Sequence, residues 1–124
     1  MKKILLVEDD TLLSSILAGS FRDAGYEVQC AYDGDSAVAR AIERHFDLML
    51  LDILLPGKDG FEVLSTVKSL DATKDIPVLV ISNLSDPGTI DRMTTIGAVG
   101  FIVKAHTTPP AVLQEVQKII GAAH

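Results

Sequence analysis

The stretch that decides the fold is LMLLDILLPGKDG, residues 48–60, in which Asp52 stands inside a run of apolar side chains. Four apolar residues lead into Asp52, and three follow it before Pro56 and Gly57 interrupt the run. An ionised carboxylate is costly to remove from water unless it is paired, hydrogen-bonded or bound to a metal ion. We therefore expect a buried strand that ends at Asp52, and polar partners that reach it from elsewhere in the chain.

Four further short runs have the length of strands. Residues 4–7, 78–81 and 101–103 are nearly continuously apolar, like 48–51, which is typical of parallel strands covered on both faces. Residues 28–31 alternate between apolar and polar, which suits an edge strand. Apolar residues recur at helical spacing around 12–21, 37–42, 63–70 and 112–120. A further helix is expected around 89–96, although this segment is rich in Thr and Ile, which are mediocre helix formers. Five strands alternating with five helices predict a doubly wound α/β domain with a parallel sheet.

Residues at the ends of the predicted helices agree with this pattern. Asp10 is placed to cap the first helix, and Asp86 and Thr108 each precede a proline at the first position of a helix. Gly25 and Gly121 stand where helices should end.

Composition restricts the class of protein. The 124 residues are enough for one domain with a core, and we expect residues 1–124 to form a single domain without an effector domain. The formal charge of −6 argues against nucleic acid as the main partner. The lone Cys30 excludes an internal disulfide, and the N-terminal apolar run is too short for a signal peptide or a membrane span. These features favour a soluble, cytoplasmic domain.

A polar side chain follows each strongly apolar run. Glu8 and Asp9 follow the first strand, Asp52 the third, Ser82 the fourth and Lys104 the fifth. Parallel strands present these ends at one edge of the sheet, where open α/β sheets bind their ligands. Clustered carboxylates call for a hard cation, and oxygen ligands favour Mg²⁺. The ammonium and the hydroxyl are suited to phosphoryl oxygens, and the buried aspartate to the role of a nucleophile that forms an aspartyl phosphate.

The chain resembles response-regulator receiver domains of the chemotaxis type, which act in two-component signalling, over essentially its whole length. The matching motifs are VEDD at 7–10, LDILLPGKDG at 51–60, PVLVIS at 77–82 and GAVGFIVK at 97–104. The resemblance implies a flavodoxin-like (βα)5 fold with strand order 2-1-3-4-5. It also implies that Asp52 accepts a phosphoryl group from a phosphohistidine on a sensor histidine kinase or a histidine phosphotransfer protein.

The resemblance assigns roles to further residues. Asp9 would bind Mg²⁺ directly, Glu8 largely through water, and Leu54 through its backbone carbonyl. Ser82 would turn inward to a phosphoryl oxygen, Lys104 would pair with the phosphoryl group, and the rotamer of Phe101 would follow the switch. A downstream target protein would then bind the surface formed by the fourth helix, fifth strand and fifth helix, and a homodimer through that surface is a further expectation.

The sequence departs from the family pattern at two places. Members usually carry a proline, joined by a cis bond, after the lysine of the fifth strand, whereas here Ala105 follows Lys104. Because a cis bond before a residue other than proline costs about 2.5–4 kcal/mol, we predict a trans bond and a rearranged loop. Leu54 and Leu84 occupy positions that tune the access of water, and two apolar side chains there predict a long-lived phosphoryl state.

Other functions are less well supported. A receiver-like interaction module that works without phosphorylation is favoured only by the altered loop after Lys104. An aspartyl-phosphate phosphatase would usually carry a second aspartate two residues after the nucleophile, where this chain has Leu54. No glycine-rich loop follows the first strand, which disfavours nucleotide binding. We therefore expect a signalling switch and no turnover enzyme.

Several polar residues have ordinary explanations. The chain's three histidines, His45, His106 and His124, lack the spacing of metal ligands. Asp59 is expected to be a turn residue before Gly60, and Cys30 a small, partly buried apolar residue.

Overall fold

The computed structural model describes residues 1–57, 59–84 and 86–123, so His124 lies outside the described residues. Within these ranges, five strands alternate with five helices, as predicted. The strands are β1 (Lys3–Val7), β2 (Glu27–Ala31), β3 (Leu48–Asp52), β4 (Val78–Ser82) and β5 (Gly100–Val103). The helices are α1 (Thr11–Asp23), α2 (Gly34–Glu43), α3 (Gly60–Ser69), α4 (Pro87–Ile96) and α5 (Pro109–Ile120), and a short 3-10 helix, η1 (Lys104–His106), follows β5.

The strands form one parallel sheet in the order β2-β1-β3-β4-β5, which confirms the flavodoxin-like fold. β2 is an edge strand, as its alternating pattern predicted. β5 is the other edge strand, and Phe101 and Val103 are only half-buried. The expectation that this run is covered on both faces was therefore wrong, because an edge strand has a neighbour on one side only.

Helices cover both faces of the sheet. Alternate strand residues such as Leu5 and Val7 pack with α2, α3 and Met93 of α4, and their neighbours Ile4 and Leu6 pack with α1 and α5. All five residues of the central strand β3 are buried. No helix in the described part of the chain is long and apolar enough to cross a bilayer.

Side chains cap the helices at the predicted positions. The Asp10 carboxylate accepts hydrogen bonds from two N–H groups in the first turn of α1, and Asp86 and Thr108 cap α4 and α5. Asp59 is the N-cap of α3, where its carboxylate accepts from Glu62 N–H at 2.9 Å. The assignment of Asp59 to a simple turn was wrong because α3 begins at the next residue.

A tight contact joins the end of β3 to the start of α3. The Gly60 N–H donates to the Ile53 carbonyl at 2.9 Å, and a Cβ atom at position 60 would lie 2.3 Å from Ile53 Cα. Glycine is therefore required here, because any side chain would push apart the loop that directly follows Asp52.

Candidate functional site

The carboxyl end of the sheet brings three acidic side chains together. Glu8 and Asp9 directly follow β1, and Asp52 is the last residue of the neighbouring β3. One carboxylate oxygen from each residue lies within 4.8 Å of the others. Glu8 and Asp52 are buried, whereas Asp9 is exposed. The cluster therefore has two buried carboxyl groups and one at the surface.

Lys104 reaches this cluster from the far edge of the sheet. Its Nζ lies 2.7 Å from Asp52 Oδ2 and 2.5 Å from Glu8 Oε1. The long side chain passes the end of β4, since that strand lies between β3 and β5. The Lys104–Ala105 bond is trans, which confirms the prediction, and the chain continues into η1.

One of the two buried carboxylates, that of Glu8, is incompletely satisfied. Only 1% of Glu8 and 2% of Asp52 is exposed. Asp52 Oδ1 accepts from the Leu54 N–H at 3.0 Å, but Glu8 Oε2 accepts no hydrogen bond within the described residues. A buried carboxylate oxygen without a donor is costly, so packing alone does not explain this arrangement.

The charges at the site are coupled. Burial, together with the neighbouring Asp52, raises the pKa of Glu8 to about 8, although Lys104 opposes the shift. Burial lowers the pKa of the Lys104 ammonium, but hydrogen bonds to Asp52 and Glu8 outweigh it, so the net shift is upward. When all groups are ionised, three carboxylates and one ammonium leave two negative charges, which a divalent cation would balance.

The structure places Ser82 at the end of the strand next to β3, and Phe101 within β5. Ser82 is fully buried at the end of β4, where its Oγ accepts from the Leu84 N–H at 3.1 Å. Its partner in the sheet is Val103, the residue before Lys104. Phe101 lies two residues before Val103 and packs against the core cluster that contains Met93 of α4. The serine thus lies next to the lysine, while the aromatic ring contacts the core on the α4 side.

Two features of the site were not anticipated from the sequence. The Asn83 Oδ1 accepts from the Ala105 N–H at 2.9 Å, and the Leu54 N–H bonds Asp52 in addition to the expected use of its carbonyl. The only sequence signal for the role of Asn83 was its polar side chain directly after Ser82. Its partner is a backbone N–H group, which every residue except proline has, so the sequence does not identify it. Leu54 and Leu84 are exposed beside the cluster, at 55% and 36%.

The family follows from a direct match. Residues 4–117 match the model of the response regulator receiver domain, so the chain belongs to this family of two-component signalling domains. Receiver domains interact with histidine kinases and with downstream targets.

Solved structures agree with this assignment. The chemotaxis protein CheY4 of Vibrio cholerae is 31% identical, with a TM-score of 0.89, over 96% of this chain and 98% of that chain. The receiver domain of a signal transduction histidine kinase from Syntrophus aciditrophicus is 28% identical, with a TM-score of 0.87, over 97% and 90%. The receiver domain of a sensor histidine kinase from Pseudomonas aeruginosa, which has a magnesium ion coordinated in its active-site cleft, shares the fold at 24% identity and a TM-score of 0.87, over 98% of each chain.

Proposed function

We propose that Asp52 accepts a phosphoryl group from a phosphohistidine donor in the presence of Mg²⁺, and that this modification switches a protein-binding surface. The observation that carries the proposal is the cluster of Glu8, Asp9 and Asp52 with Lys104 in contact with two of the three. A buried carboxylate with charged neighbours at the carboxyl edge of an α/β sheet is suited to nucleophilic phosphoryl chemistry.

The donor set fits Mg²⁺. All three side chains offer carboxylate oxygens, Glu8 Oε2 is buried without a donor in the described part of the chain, and the cluster carries excess negative charge when ionised. Asp9, Asp52 and the Leu54 carbonyl would hold the ion, with Glu8 acting largely through water. When bound, Mg²⁺ would neutralise the carboxylates and hold a phosphoryl oxygen. The magnesium ion in the cleft of the Pseudomonas aeruginosa receiver domain supports the same assignment.

The protein's own groups would perform the transfer. A carboxylate oxygen of Asp52 attacks phosphorus, the P–N bond to the donor imidazole breaks, and the ring nitrogen keeps the electron pair. Lys104, already 2.7 Å from Asp52 Oδ2, is placed to follow the negative charge onto a phosphoryl oxygen. Ser82 would give up its contact with the Leu84 N–H and donate its hydroxyl proton to another phosphoryl oxygen.

The proposed output surface consists of α4, β5 and α5. Met93 is the only buried residue of α4 within the described residues, so this helix is held by little core contact. Phe101 packs against the same cluster and would change its rotamer when α4 shifts. We assign a sensor histidine kinase or histidine phosphotransfer protein as donor and a downstream protein as target, and homodimerisation would use the same surface.

The exposed Leu54 and Leu84 side chains are expected to slow hydrolysis of the aspartyl phosphate. Both lie beside the cluster, where apolar groups neither orient nor activate a water molecule. The double variant Leu54→Asn, Leu84→Glu should therefore lose its phosphoryl group several times faster than the wild type, measured by the decay of phosphorylated mass with time. Slower decay in this variant would contradict the assigned role.

The experiment that tests the proposed function is intact mass after incubation with phosphoramidate, with and without Mg²⁺. We expect the wild type to gain one phosphoryl group only with Mg²⁺, and Asp52→Asn to gain none. Asp10→Asn is the matched control, because Asp10 is adjacent to Asp9 in sequence but caps α1. This variant should gain the phosphoryl group as the wild type does. No gain in the wild type would refute the proposal and favour an interaction module that works without phosphorylation.

A further inference from the structure

The first turn of η1 receives its cap from another loop. The first N–H groups of a helix lack partners within the helix, and Val103, the N-cap of η1, makes no side-chain cap. Instead the Ala105 N–H donates to Asn83 Oδ1 at 2.9 Å. Asn83 thus takes the place of a capping side chain for a helix 22 residues further along the chain.

This hydrogen bond joins the residues that directly follow the two side chains proposed to hold the phosphoryl group. Asn83 directly follows Ser82, and Ala105 directly follows Lys104. The last paired residues of β4 and β5 are Ser82 and Val103, so the bond lies just beyond the end of the sheet. Within the described residues, no other hydrogen bond connects the loop after β4 with the segment after β5.

We infer that Asn83 is a positioning residue, which acts through Ala105 to fix the backbone from which Lys104 reaches Asp52. This inference rests on the proposed function. A lysine side chain has many rotamers, so the placement of its ammonium depends on a fixed backbone. Asn83 also directly follows Ser82 in the chain. Inward movement of the Ser82 side chain is therefore coupled to the position of the Lys104 backbone.

A double-mutant cycle tests the coupling. Asn83→Ala removes the acceptor, Lys104→Met removes the ammonium whose position Asn83 is inferred to fix, and the double variant removes both. The rate constant for phosphorylation by phosphoramidate at saturating Mg²⁺ should fall about tenfold in Asn83→Ala, within the usual range for coupled residues. The double variant should be no slower than Lys104→Met alone.

Ala105→Gly is the matched control, because it keeps the N–H group and should stay within about twofold of the wild type. Mg²⁺ affinity is a second readout, and it should change little in Asn83→Ala, since Asn83 is not among the proposed ligands. Effects of Asn83→Ala and Lys104→Met that multiply in the double variant would overturn the inference.

Amide exchange at Ala105 separates this inference from the proposed function, because it needs no phosphodonor. We expect faster exchange of the Ala105 amide in Asn83→Ala than in the wild type. Equal exchange in the two proteins would overturn the inference even if Asp52 is phosphorylated. A wild-type protein that takes up no phosphoryl group would refute both proposals, whatever the exchange result.

Discussion

The two ends of the sheet hold polar groups in contrasting ways. At the amino end, the Lys3 N–H donates to Asp47 Oδ2 at 2.8 Å, and the Tyr26 hydroxyl donates to the Gly121 carbonyl at 2.5 Å. At the carboxyl end, Glu8 and Asp52 are buried and share the ammonium of Lys104.

The difference separates polar groups that serve stability from those that serve chemistry. Hydrogen bonds at the amino end tie chain segments together, including the Lys2 N–H to the Ala123 carbonyl at 3.0 Å. The carboxyl end concentrates like charges where water is excluded, which a fold does not need. A function that uses the charge is the simplest reason to keep it.

The largest effect is expected from removing the shared cation. In metal-free protein, Lys104→Met leaves the buried Asp52 carboxylate without a counter-charge and Glu8 without its hydrogen-bond partner, and it should lower the free energy of unfolding by about 3 kcal/mol. Lys3→Met is the matched control at the amino end, where the Lys3–Glu27 ion pair of 3.6 Å is partly exposed and should contribute under about 1 kcal/mol. Urea unfolding in the presence of EDTA measures the free energy of both variants. Equal losses would contradict the difference proposed between the two ends of the sheet.

The pH dependence of stability should also distinguish the carboxyl end. The Glu8 pKa is about 8 in the folded protein and near 4.5 in the unfolded chain, so between these values the folded state holds an extra proton. The stability that this proton contributes is complete below pH 4.5 and is lost as pH rises through 8. We expect the free energy of unfolding of the metal-free wild type to fall, relative to Glu8→Gln, between pH 5 and 8.

The N-cap of α4, Asp86, should give the opposite dependence of stability on pH. Hydrogen bonds from Thr89 hold the pKa of Asp86 below its ordinary value, so its contribution is present at neutral pH and lost as pH falls through the lowered pKa. Asp86→Asn should therefore weaken the acid sensitivity without changing the trend assigned to Glu8. A wild type that matches Glu8→Gln between pH 5 and 8 would argue against a buried, protonated Glu8.

A smaller effect is expected at the amino end. Tyr26→Phe removes the hydroxyl that donates to the Gly121 carbonyl and should cost about 1 kcal/mol of unfolding free energy, with no change in phosphorylation rate. Thermal unfolding and the phosphoramidate assay measure the two quantities. A changed phosphorylation rate would show that the two ends are not independent.

The fold was predictable because local signals agreed. The apolar runs, the caps at Asp10, Asp86 and Thr108, and the periodicity of the helices each indicated the elements that the structure shows. The strand order came from the family resemblance, since apolar pattern does not specify which strands are neighbours. The burial of β5 was predicted wrongly, because a run of three apolar residues has the same pattern in a central strand and in an edge strand.

The site was predictable in its members but not in its contacts. Parallel strands predicted that Glu8, Asp52 and Lys104 would meet, but their pairing depends on how far one lysine side chain reaches past β4. The Asn83 hydrogen bond was not predictable, because its donor is the backbone of a loop without a regular pattern. Residues that act through backbone groups give little signal in sequence.

The measurement that tests the central claim most directly is the free energy of unfolding as a function of Mg²⁺ concentration at constant ionic strength. A cation that binds only the folded protein stabilises it by about 2.7 kcal/mol at a hundred times its Kd. We predict a logarithmic rise for the wild type and for Asp10→Asn, and a much smaller rise for Asp52→Asn. No rise in the wild type, or the same rise in Asp52→Asn, would contradict the account of the carboxyl end as a site built for a cation and a phosphoryl group.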